Sequence, residues 1–179
     1  YTTWPALNAS AATAPVLRVG FVSGDLREHP VGRFLEGAIA HLDPARIELF
    51  AYTTNQRQDQ LTARLRPRFS GWASIVGMTD EVAAGRIHAD GLHILIDLAG
   101  HTANNRLPVF AWRPAPVQVS WLGYFASTGV AAIDHHLLGS FTPTGRVSIR
   151  RRRARIDHAP SGQFDLAHQR VPGSDPPNE

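Results

Sequence analysis

The sequence predicts an α/β protein built on a parallel sheet with helices on both faces. Short β-rich apolar runs alternate with segments of helical period, and three of those runs stop abruptly in polar or glycine-bearing loops. At 179 residues and 43% hydrophobic, the chain is long and apolar enough to bury one globular core.

The elements follow in order. Leu17–Ser23 (LRVGFVS) reads as a buried strand that delivers the polar loop Ser23-Gly24-Asp25. Val31, Phe34, Leu35, Ala38, Ile39 and Leu42 then recur at helical spacing until Asp43-Pro44 stops the run. Ile47–Thr53 alternates as a strand, residues 59–65 suit a helix, and residues 72–76 suit another short strand. A further helix opens at Thr79 as N-cap, carries Asp80 and Glu81 in the first turn where the helix dipole favours acids, and closes with Gly91 past its last turn. Residues 92–98 (LHILIDL) form the most apolar strand. A short helix is expected near residues 107–112, ended by Pro114 and Pro116, before a strand over residues 117–122.

Ligands of parallel sheets sit outside the carboxyl ends of the strands. Loops 23–29, 97–102 and 122–129 are therefore expected to share one rim, bringing Asp25, His29, His101 and Tyr124 together with Gly24, Gly100, Gly123 and Gly129. Glycines there let a ligand approach the backbone closely. His29 precedes Pro30 at a helix start, so its backbone is expected to be extended and its imidazole held near the helix N-terminus, suited to a neutral donor or acceptor facing an anionic ligand; a surface loop histidine is the plainer reading. Asp25 suits either a general base or a turn residue bonding its own backbone. Asp97 and His101 lack a third ligand of suitable spacing, so no metal is expected. His135 and His136 are adjacent on a strand and point to opposite faces. His88 and His93 read as a helix-end and a strand residue, and Trp72, Trp112 and Trp121 as core or face aromatics.

Composition excludes several chemistries. With no Cys there is no disulfide and no thiolate zinc site. All 18 basic residues are Arg, so Schiff-base chemistry and any Lys-phosphate contact within this chain are ruled out. No Gly-x-Gly-x-x-Gly follows the first strand and no Gly-Lys-Ser/Thr motif occurs, which argues against dinucleotide and nucleoside-triphosphate binding of the common kinds. No run approaches the roughly 18 apolar residues of a membrane span, and no secretion signal opens the chain; no membrane partner and a cytoplasmic setting are expected. Charge is unevenly placed. Residues 1–138 hold 11 Arg and 11 acidic residues, whereas residues 139–179 hold 7 Arg against 4, so the net charge of +3 resides in that last stretch. Its Arg150-to-Arg153 run and its prolines read as disordered.

LRVGFVSGDLREHPVGRFL (17–35), ADGLHILIDLAGHTANNRLPVFAWRPAPVQVSWLGY (89–124) and the STG at 127–129 resemble the O-linked N-acetylglucosamine transferase family, SPINDLY-like members of glycosyltransferase family 41. The resemblance covers residues 17–138 and implies the Rossmann-like N-terminal lobe of a two-lobed, GT-B type enzyme. It implies a UDP-N-acetylglucosamine donor and protein Ser/Thr acceptors as partners, with no cofactor and no metal, the UDP-sugar being a substrate. It places His29 and Asp25 in catalytic positions, and Leu122, Gly123, Tyr124, His101 and Arg106 among substrate-binding ones. Several positions depart from animal members: Val31-Gly32-Arg33 after His-Pro, His101 where they carry Tyr, and Phe125-Ala126 after Gly-Tyr. The family's second lobe, with its phosphate-binding Lys, is not matched, so the chain alone is expected to be inactive. The domain reading is a poorly ordered lead-in at 1–16, the lobe at 17–138, and a disordered Arg/Pro-rich tail at 139–179. The tail's abrupt change in charge fits a reading-frame shift near Gly139. The alternative function is a non-catalytic interaction module whose basic tail binds an acidic partner or nucleic acid; without a recognisable nucleic-acid module, nucleic acid is not the expected partner.

Overall fold

The computed structural model describes residues 16–124, 126–139 and 147–151. Seven strands form one sheet: β1 (Leu17–Ser23), β2 (Ile47–Thr53), β3 (Gly71–Ser74), β4 (Ile94–Asp97), β5 (Val117–Trp121), β6 (His135–Gly139) and β7 (Val147–Arg151). Their order across the sheet is β3-β2-β1-β4-β5-β6-β7. The first six are parallel, and β7 pairs antiparallel to β6. The parallel order reverses direction between β1 and β4, and a crevice for ligands opens at such a switch point.

Alternation along the strands sorts side chains into two cores, one on each face. Val19, Phe21, Leu49 and Ala51 pack under α1 (Pro30–Ile39) and α2 (Gln60–Leu65), joined by Val31, Leu35, Ile39, Leu61 and Leu65. Val22, Phe50, Tyr52 and Leu95 face the other way, against Ala83, Ala84 and Ile87 of α3 (Asp80–Ala89) and Leu107, Val109 and Phe110 of α4 (Leu107–Ala111). Burying both faces is what makes the strands near-continuous hydrophobic runs.

Helix ends follow local chemistry. The Thr79 hydroxyl accepts from Val82 N, and Gly91 follows α3 with φ +59, the left-handed conformation that ends helices cheaply in glycine. Asp59 caps α2 by accepting from Leu61 N and Thr62 N, while the Thr62 hydroxyl accepts from Asp59 N. Helix α1 ends at Ile39, short of Leu42, which packs on the same core from the turn that follows. Strand β4 is shorter than its apolar run. At its start the His93 imidazole accepts the Arg18 N–H, and at its end the Asp97 carboxylate accepts from the amides of Ala99 and Gly100, two and three residues on.

The expectation of a tail disordered from residue 139 is corrected where the structure describes it. Gly139 ends β6, and residues 147–151 form β7, in register from Gly139↔Val147 to His135↔Arg151. Antiparallel pairing supplies these backbone groups with partners although the sequence there carries no hydrophobic period. Residues 140–146 and 152–179, and all of the lead-in except Val16, lie outside the described residues.

Candidate functional site

The three loops expected on one rim do meet. Strands β1, β4 and β5 are adjacent and parallel, so their carboxyl ends emerge side by side. The β1–α1 and β4–α4 loops touch where Gly24 passes Asn104: a Cβ on Gly24 would lie 3.1 Å from the Asn104 Cβ and 3.0 Å from the Thr54 hydroxyl. The β4–α4 loop and the loop after β5 interlock twice. A Cβ on Gly123 would overlap the Leu98 carbonyl, and one on Gly100 would overlap the Tyr124 side chain. Close backbone approach, rather than a turn, is what requires glycine at position 123.

The β1–α1 loop carries the reactive side chains. Ser23 makes the turn, its hydroxyl accepting from Asp25 N at 3.0 Å, which leaves the Asp25 carboxylate for other partners. Arg27 donates to Asp25 Oδ1 at 2.9 Å, and Asp25 Oδ2 lies 3.7 Å from His29 Nδ1. His29 is the N-cap of α1, with extended backbone (φ −151°, ψ 151°), and its Nδ1 accepts from Val31 N at 3.3 Å. Pro30 fixes this geometry because it restricts the residue before it and supplies no N–H at the first helical position. Side-chain exposure of 38% leaves the His29 ring accessible from the rim, whereas Asp25 at 16% is mostly covered. With Nδ1 accepting, the neutral imidazole carries its proton on Nε2; with Nδ1 turned to Asp25, Nε2 is free to accept.

The loops after β4 and β5 supply shape. Leu122 has φ +72, and Gly123 N donates to Trp121 O at 2.9 Å, closing a three-residue turn of the strained left-handed kind. His101 and Tyr124 pack edge to face, ring centroids 5.2 Å apart. Asp97, fully buried at the end of β4, accepts from Ala99 N (3.1 Å), Gly100 N (2.9 Å) and the Ser120 hydroxyl (3.2 Å). Burial pushes its carboxyl pKa up, and those three hydrogen bonds and His101 oppose the rise.

His29, Asp25, His101, Leu122, Gly123 and Tyr124 therefore lie on one rim. Arg106 is not brought to them. Its guanidinium is spent on Asp80 Oδ1 (3.0 Å), Ile75 O (3.0 Å) and Met78 O (3.0 Å), holding the β3–α3 loop, and its side chain is 17% exposed. Gly129 has φ +72, and nothing lies within 4 Å of its Cβ position. Sequence reasoning missed Arg27, the partner of Asp25, Ser120, a partner of the buried Asp97, and Asn104, the non-glycine residue with φ +59 that closes over Gly24. The Asn-Asn pair at 104–105 is the only local signal that a left-handed residue was coming. Elsewhere, His135 and His136 sit half-buried in β6, Trp72 and Trp121 pack on one core, and Trp112 packs on the other.

Comparisons with known proteins agree on the kind of protein this is. The model of Glycosyl transferase family 41 matches residues 4–150, wider at both ends than 17–138. A probable UDP-N-acetylglucosamine--peptide N-acetylglucosaminyltransferase SPINDLY of Oryza sativa is 35% identical over 144 residues, which is 78% of this chain and 15% of that protein. The UDP-N-acetylglucosamine--peptide N-acetylglucosaminyltransferase of Caenorhabditis elegans is 31% identical over 134 residues, covering 74% of this chain and 12% of that one. Among solved structures, a mutant of the Thermobaculum terrenum O-GlcNAc transferase superposes with a TM-score of 0.72 at 39% identity, covering 80% of this chain and 28% of that chain. This chain thus spans about 15% of the length of the SPINDLY relatives it matches. With a Rossmann-like sheet of the kind found in that transferase, and a family match over most of its length, the chain belongs to glycosyltransferase family 41.

Proposed function

We propose that this chain is the part of a protein O-glycosyltransferase that presents His29 and Asp25 to the sugar end of UDP-N-acetylglucosamine and to an acceptor Ser or Thr hydroxyl. The observation that carries the reading is the convergence of three loops at the β1/β4 switch point, with an accessible imidazole capping a helix there. In the transfer, the acceptor oxygen forms a bond to the anomeric carbon, the bond from that carbon to the UDP oxygen breaks with its electron pair, and the hydroxyl proton leaves. His29 Nε2 accepts that proton when Nδ1 donates to Asp25, so the 3.7 Å separation of Nδ1 from Asp25 Oδ2 has to close in the loaded site. Leu122, Gly123 and Tyr124 form the wall against which the sugar is oriented, and His101 lines it from the neighbouring loop. UDP and its phosphates need groups that the described residues do not place on the rim, and the chain has no Lys to offer them, so the 179 residues alone are expected to bind UDP-sugar weakly and not to turn over. No helix among the described residues is long and apolar enough to cross a membrane; a cytoplasmic setting for the reaction is part of this proposal.

The test is a hybrid in which residues 17–138 replace the matching segment of the Thermobaculum terrenum transferase. It is expected to transfer N-acetylglucosamine to a Ser/Thr peptide, and His29→Ala in the hybrid is expected to lower the rate by about a hundredfold or more. A correctly folded hybrid with no transfer, or one indifferent to His29, refutes the reading.

A further inference from the structure

Asp97 is the one charged side chain that is buried among the described residues, and the transfer chemistry above makes no use of it. A carboxylate taken fully out of water is costly unless paired, and among the described residues no cation forms an ion pair with it. What it has are three donors, and their locations matter. Ala99 N and Gly100 N belong to the loop that carries His101, and the Ser120 hydroxyl belongs to β5, one residue before the Trp121–Gly123 turn. The same two segments interlock at Gly123 with Leu98 and at Gly100 with Tyr124. One buried carboxylate thus ties the loop bearing His101 to the strand delivering Leu122, Gly123 and Tyr124.

We propose that Asp97 is a positioning residue for the cleft, fixing the spacing and orientation of the His101 and Leu122–Tyr124 walls rather than contributing to the stability of the sheet. The proposal rests on the glycosyltransferase reading of the rim. A carboxylate accepts from both amides and the hydroxyl at once. A neutral amide in its place turns an NH2 toward one of the backbone N–H groups and releases that part of the loop. Because ionised Asp97 is buried at a cost, its replacement by Asn is not expected to lower the stability of the sheet, and positioning and stability separate in one variant.

The experiment uses the full 179-residue chain. Hydrogen exchange at the Ala99 and Gly100 amides and the ring-shifted NMR signals of His101 and Tyr124 are compared between the native chain and Asp97→Asn at neutral pH, together with thermal midpoints. The expected result is exchange at least tenfold faster at one or both amides and loss of the His101–Tyr124 ring contact, with no fall in the midpoint. Unchanged amides and ring signals overturn the proposal, as does a lowered midpoint with β1 and β2 amides accelerated in the same proportion. If Asp97→Asn does not fold, Ser120→Ala, which removes one donor of the three, reads the same signals: loosening confined to the rim supports the proposal, and an unchanged rim overturns it. In the Thermobaculum hybrid, Asp97→Asn is expected to lower kcat at least tenfold with the donor KM changed less than threefold. A hybrid that fails to transfer with native Asp97 counts against the proposed function, and the exchange measurement still decides the role of Asp97.

Discussion

The rim is made of two unlike halves. On the β1–α1 side the groups that matter are side chains held by other side chains: Arg27 on Asp25, Asp25 near His29, His29 on its own helix. On the β4–β5 side they are backbone segments pressed together through Gly100 and Gly123, with a buried carboxylate beneath them. The first half can shift a proton or rotate a ring at little cost, while the second cannot move without breaking close packing. The contrast separates two tasks that a transfer site needs, reactive groups free to change partners and a wall that keeps its shape.

Substitutions can break or sharpen that contrast. The largest loss is expected from Gly123→Ala: its Cβ would overlap a backbone carbonyl, which cannot rotate away, so unfolding by urea should show a loss of about 3 kcal/mol or more. Arg106→Ala comes next, at about 2 kcal/mol by the same measurement, because a mostly buried guanidinium gives up Asp80 and two carbonyls. If Arg106 serves the β3–α3 loop and not the cleft, transfer by the hybrid should fall no further than the loss of folded protein explains. His29→Ala is expected to cost only about 1 kcal/mol, the usual worth of an N-cap, while nearly abolishing transfer; a larger stability loss would make the soft half of the rim as rigid as the hard one.

The smallest effect is a pH dependence. The folded-state pKa of Asp97 is raised, so between the usual carboxylate range and that raised value the folded chain binds a proton that the unfolded chain does not. Stability contributed at this site is therefore greatest when pH is low enough for the folded chain to hold that proton, and it falls as pH rises through the folded pKa. The difference in thermal midpoint between Asp97→Asn and the native chain should accordingly move in favour of the native chain as pH falls from neutrality. A difference that is flat with pH would mean that Asp97 titrates no differently in the folded and unfolded chains.

Much of this arrangement was legible before any coordinates. The bounds of β1 and β2, the cap at Thr79, and the left-handed Gly91 follow from apolar alternation and local hydrogen-bonding chemistry, which act over a few residues; residue 59, read as the first helical residue, is instead the N-cap of α2. His29 as an extended residue at a helix start was readable because Pro30 constrains it directly. What escaped was set by partners distant in sequence. Arg106 looked like a cleft residue until its guanidinium was found on Ile75, Met78 and Asp80, 26 to 31 positions earlier. Leu122 gives no sign of φ +72, since leucine has no preference for that region and the turn is imposed by the docking of Gly123 on Leu98. Strand β7 was invisible in an Arg-rich stretch because its pairing comes from the open edge of β6 and not from its own pattern.

The switch-point topology also has a consequence in time. Strand β1 finds β2 thirty residues on, Leu17↔Ile47, but it finds β4 seventy-five residues on, Val19↔Ile94, with β2, β3 and three helices lying between. Closing that longer loop returns no contact energy until the two strands meet, so the β1–β4 pairing is a slow kind of event in folding. His29 and the loop that carries His101 come to a common rim only through that pairing. A folding chain would therefore have its first two strands and α1 in place well before it has a rim, and the site would be among the last features to assemble.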